Sequence, residues 1–91
     1  MITKRTIRRI INEYNRDRSP IAEASLIGTK RNRILLRVSG SFCGKGNDNV
    51  YFEGLRDALK RQSGQPVSIK EIKDKGACSF TAIFSVTPMV G

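Results

Sequence analysis

Residues 12–42 lie on residues 58–88 at a constant offset of 46, without a gap. Pro20 falls on Pro66, Ile21 on Val67, Leu26 on Ile72 and Ser39 on Ser85. Ile34, Leu36 and Val38 fall on Phe80, Ala82 and Phe84. The segments ahead match one residue out of step, with Ile7, Ile10 and Tyr14 on Phe52, Leu55 and Leu59. Few matched residues are identical, so the agreement is one of pattern, and any two α-β-β units of similar length would align this way. The pattern still points to two α-β-β units in succession.

Each unit opens on a helical stripe. Ile7, Ile10, Ile11 and Tyr14 recur at helical spacing across Thr3–Arg16, with Lys4, Arg5, Arg8, Arg9, Asn12 and Arg16 opposite. Thr3 is the expected N-cap, and Ser19-Pro20 ends the helix, because proline drives the preceding residue out of helical conformation. In the second unit Tyr51, Phe52, Leu55, Ala58 and Leu59 form the stripe, with Asp48 as a possible cap and Ser63-Gly64 at the end. Strands are expected over Ile21–Ile27, Arg33–Phe42, Val67–Ile72 and Cys78–Val86. The turns between them are Gly28–Asn32 and Lys73–Gly76, and Gly40 marks a bulge or a close backbone approach.

These elements predict one α+β domain over residues 1–91, with 87–91 as a tail. The expected architecture has two layers, a four-stranded antiparallel sheet with both helices on one face and a pseudo-twofold between the units. Its core would be Ile7, Ile10, Ile11, Tyr14, Ile34, Leu36, Val38, Phe52, Leu55, Leu59, Phe80, Phe84 and Val86. The other sheet face would then show Ala22, Ala24, Leu35, Arg37, Ser39, Lys70, Thr81, Ile83 and Ser85.

Charge narrows the function. The net charge is +9, and the first 45 residues hold eleven of the seventeen Lys and Arg against three carboxylates. A basic excess this one-sided repels itself unless a polyanion is the working partner. Nucleic acid, RNA or DNA, is the expected partner. The expected phosphate contacts are Lys4, Arg5, Arg8, Arg9 and Arg16 on helix one, then Lys30, Arg31 and Arg33 at the following turn, with Lys45 as a secondary contact. Arginine suits this role because its guanidinium fork donates two parallel hydrogen bonds to phosphate. Gly44-Lys45-Gly46 is a weaker anion-binding candidate, since free backbone N–H groups ahead of a helix attract negative charge. It lacks the longer glycine-lysine run of a nucleotide-triphosphate loop.

Other chemistry finds little support. The chain has no histidine, which removes Ser-His and Cys-His nucleophile pairs and imidazole metal ligands. Cys43 and Cys78 are too few for a zinc site within one chain. They read as buried thiols of a reducing cytoplasm or as a disulfide pair. Glu53 and Asp57 share a helix face among basic neighbours and read as ion-paired surface carboxylates. No catalytic residue, metal or cofactor is expected. No signal peptide or membrane span is apparent, so the expected setting is soluble and cytoplasmic, away from membranes. The alternative reading is an assembly subunit that forms a homodimer, or docks a protein partner, through the exposed sheet face.

Overall fold

The computed structural model describes residues 3–43 and 48–87, the side chain of Asp48 excepted. The elements run α1 (Lys4–Arg18), β1 (Glu23–Lys30), β2 (Arg33–Ser39), α2 (Asp48–Ser63), β3 (Val67–Asp74) and β4 (Ser79–Val86). The strands form one antiparallel sheet in the order β1-β2-β4-β3, with α1 over β1 and α2 over β3 on the same face. This is the expected α+β architecture.

The register carries the internal symmetry. Leu36 pairs directly with Ala82, its counterpart at the offset of 46, so a pseudo-twofold axis passes between them. Leu26 pairs with Leu36 and Ile72 with Ala82, which extends the same relation to both edge strands. The edges then diverge. The β1 bulge puts in Ile27, whereas the β3 bulge puts in Lys70, and these positions are not equivalent.

α1 starts as its sequence requires. Thr3 accepts a hydrogen bond from the Thr6 N–H at 3.2 Å, satisfying one of the free donors of the first turn. Ile7, Ile10, Ile11 and Tyr14 are buried against the sheet, together with Phe52, Leu55 and Leu59 from α2. Every residue expected in the core is buried, and Phe42, Val67, Ala82, Ala22 and Ala24 join it.

The two alanines correct an expectation. The strand alternation puts both on the outer sheet face, yet Ala22 is 0% and Ala24 5% exposed. Ala24 pairs with buried Val38, so it points to the helices, and its small side chain lets α1 pack closely on the edge strand. β2 also ends sooner than the pattern suggested, at Ser39 rather than Phe42. Gly40 (φ 147°) turns the chain where any Cβ would run into the Ile21 carbonyl. It is a close backbone approach. Phe42, beyond it, closes the core against Tyr51, Phe80 and Phe52, with ring centroids 4.8, 5.7 and 5.9 Å away. The turns are shifted as well. Gly28–Lys30 belong to β1, leaving Arg31-Asn32 as a two-residue turn, and Lys73 and Asp74 belong to β3.

Cys43 and Cys78 form a disulfide, with their Cα atoms 5.5 Å apart, so the buried-thiol reading gives way to a cross-link. It ties the segment after β2 to the β3–β4 turn. Among the described residues no helix is long and apolar enough to cross a membrane. Residues 88–91, most of the expected tail, lie outside the described residues.

Candidate nucleic-acid interface

Asn15 sets the direction of everything that follows. Its amide donates to the Ala24 carbonyl at 2.9 Å and accepts from the Ala24 N–H at 2.7 Å, which pins the second half of α1 to the start of β1. From that pin α1 runs back about 16 Å to Lys4 at its usual rise. β1 runs the same way for about 20 Å to Lys30. The first two turns of α1 and the β1–β2 turn therefore reach the same end of the molecule. Lys4, Arg5, Arg8 and Arg9 are exposed there, and so are Lys30, Arg31 and Arg33.

Strand pairing orders the outer sheet face at that end. Lys30 pairs with Arg33, Arg33 with Ser85, and Ser85 with Ser68. The terminal row thus presents two cations and then two hydroxyls, all groups that can donate to phosphate oxygens. The next row is Gly28, Leu35, Ile83 and Glu71, and beyond it lie Ser25, Arg37, Thr81 and Lys73. No aromatic side chain sits on this face.

The basic end holds few carboxylates: Glu13, which accepts from Gln62, lies beside it, and no ion pair found among the described residues joins it to a cation. Residues 3–9, 29–34 and 60–68 contain no Asp or Glu. The ion pairs found among the described residues, Arg56 with Asp57 at 3.1 Å and Lys73 with Glu71 at 3.6 Å, both lie elsewhere. The first turn of α1 has no acidic residue, so Lys4 and Arg5 face the positive end of the helix dipole. That is an unfavourable place for cations unless an anion joins them.

Not every expected contact comes together. Arg16 is exposed on the same helix, but about 18 Å further along its axis from Lys4. Gly44, Lys45 and Gly46, with the proposed secondary contact and anion loop, lie outside the described residues, as does the side chain of Asp48 that was expected to cap α2. Of the two carboxylates expected to be ion-paired, Asp57 pairs with Arg56, whereas Glu53 is in none of the ion pairs found among the described residues. Tyr14, on the apolar stripe, donates to the Tyr51 carbonyl at 3.0 Å, and the Arg18 guanidinium lies 4.4 Å over its ring. Burial pushes its phenol up to about 12, with Tyr51 adding to the rise and Arg18 opposing it.

Lys60 and Arg61 were not among the expected contacts. They close α2 on an exposed last turn, and the helices run antiparallel: Tyr14 reaches Tyr51 at the start of α2, whereas earlier in α1 Arg9 donates to Gln62 at 3.4 Å and Gln62 to Glu13 at 2.7 Å. The end of α2 therefore lies beside the beginning of α1. Only the helix pairing reveals this, because the two segments are more than fifty residues apart in the chain. No protein-family model, curated protein sequence or solved structure matches this chain, so its own geometry is what bears on function.

Proposed function

We propose that this is a small, non-enzymatic nucleic-acid-binding protein that grips phosphates with the polar face of α1 and the β1–β2 turn. One observation carries the reading. Two basic segments distant in sequence meet at one end of the fold, and no carboxylate within 4 Å pairs with them among the described residues. A solvated helix face normally mixes its charges in near balance; at this end Glu13 is the carboxylate beside Lys4, Arg5, Arg8 and Arg9. Binding of this kind takes its affinity from counterion release, with little reading of sequence. A cytoplasmic setting goes with this proposal, and the thiol pool there would govern how much of the Cys43–Cys78 bridge forms.

The test is fluorescence anisotropy with mixed-sequence RNA and DNA across a salt series. Affinity should fall steeply with salt. Arg8→Ala/Arg9→Ala and Arg31→Ala/Arg33→Ala should each make the log–log slope shallower by about 2. Absence of binding to any of these nucleic acids at low salt would overturn the proposal.

A second reading rests on Leu35 and Ile83, a directly paired, half-buried apolar couple in the middle of the outer sheet face. Such a patch suits a homodimer or a protein partner. Lys30, Arg33, Arg37 and Lys73 surround it, against Glu23 and Glu71, so two such faces would repel. A sheet-face dimer would keep its mass in solution as ionic strength rises, because salt screens that repulsion.

A further inference from the structure

We infer that the basic end is built for a double-stranded nucleic acid, and that Lys60 and Arg61 of α2 belong to the grip. This rests on the nucleic-acid reading and specifies its ligand.

The argument begins with layers. The cations of this end stand in two tiers. Lys4, Arg5 and the α2 pair Lys60 and Arg61 are in the helix layer, and Lys30 and Arg33 are on the far side of the sheet. A helix with its side chains is about 10 Å thick, so the backbones that carry the two tiers stand about that far apart. A single strand offers one row of phosphates. A duplex offers two rows, flanking grooves about 6 and 12 Å wide in the B form, and two tiers of cations can engage both rows at once.

The aromatic residues argue the same way. Proteins that hold single strands stack bases on exposed rings. Here Phe42, Phe52, Phe80, Phe84 and Tyr14 are all buried, and the half-buried Tyr51 opens α2 at the opposite end. The chain has no tryptophan. A duplex needs no stacking platform, because its bases are already stacked and its phosphates face outward.

Lys60 and Arg61 also complement the negative end of the α2 dipole, which would account for them without any ligand. The two roles separate experimentally. A dipole role appears in thermal stability, whereas a phosphate role appears in the salt dependence of binding.

The experiment compares labelled duplexes and single strands of matched mixed sequence, in both RNA and DNA, by anisotropy across salt. It uses the wild type and Lys60→Gln/Arg61→Gln, with Lys60→Ala/Arg61→Ala as a second variant and thermal melts as the measure of folding. Duplexes should bind more tightly than single strands of the same sugar. The Gln variant should melt near the wild-type temperature while its duplex slope becomes shallower by about 2. Single strands binding as tightly as duplexes would overturn the inference and leave the nucleic-acid reading standing. So would a variant whose melting temperature falls while its duplex slope is unchanged. Failure of all four nucleic acids to bind would remove the parent reading and this inference together.

Discussion

Asn15 is the residue on which the fold's orientation turns. Ala24 lies on an edge strand, where outward backbone groups lack a neighbouring strand, and the Asn15 amide satisfies both its N–H and its C=O. Removing that side chain leaves a part-buried donor and acceptor unpaired. Asn15→Ala should therefore cost about 1–3 kcal/mol, read as a lower urea midpoint. An unchanged midpoint would mean that water replaces the amide without loss. Tyr14 makes a prediction in pH. Its folded phenol keeps its proton from 10.0, the ordinary tyrosine value, up to about 12, while the unfolded chain gives the proton up. Stability from this group is thus fully present below pH 10 and drains away as pH climbs towards 12. Below that window Tyr14→Phe should be less stable by about 1 kcal/mol, for the lost hydrogen bond to Tyr51. Urea titrations at rising pH should then show the gap closing between about pH 9 and about pH 11, because the phenylalanine has no proton to lose. A constant gap would show that the phenol titrates alike in both states.

At the scale of elements, what the sequence reveals depends on how local the cause is. Both helices were legible because their apolar stripes repeat within a single turn, and the Thr3 cap and Pro20 stop act on neighbouring residues. The alternation Ile34, Leu36, Val38 likewise identified a central strand with its inner face. Strand ends were less legible. Gly28 resembles a turn residue, but the Ile27 bulge keeps it in β1, and bulges are settled by pairing with the next strand. Ala22 and Ala24 gave no apolar signal of their own, being buried by a helix that passes over them. Cys43 and Cys78 are the extreme case, since only the folded sheet brings them together across 35 residues. Closing a loop of that length contributes on the order of 4 kcal/mol in chain-entropy terms, and natural bridges commonly give about 2–4 kcal/mol. Adding dithiothreitol, or making Cys78→Ser, should lower unfolding free energy by about that amount in urea titrations run with and without reductant. Identical curves would show that the bridge adds no stability.

The whole molecule converts a one-sided sequence into a one-ended charge distribution. The antiparallel helices and the hairpin gather basic segments with few acids at one end, while towards the other Asp17, Glu23 and Asp74 are interspersed with Arg16, Arg18, Lys73 and Lys75. Such a distribution costs stability. Lys4 and Arg5 oppose the α1 dipole and add to the repulsion around them, so folding alone would favour acids at both positions. This gives a test that separates a functional cluster from an incidental one. Lys4→Glu/Arg5→Glu should stabilise the free protein by about 0.3–1 kcal/mol per site at low salt, an advantage that shrinks as salt screens it. The same variant should lose most of its affinity for nucleic acid, because each substitution places a like charge against the phosphates. A stabilised variant that binds as the wild type does would remove α1 from the interface. A destabilised one would mean that partners near Thr3, rather than the helix dipole, govern this turn. Stability gained together with binding lost is the outcome that marks the charge at this end as serving a ligand and not the fold.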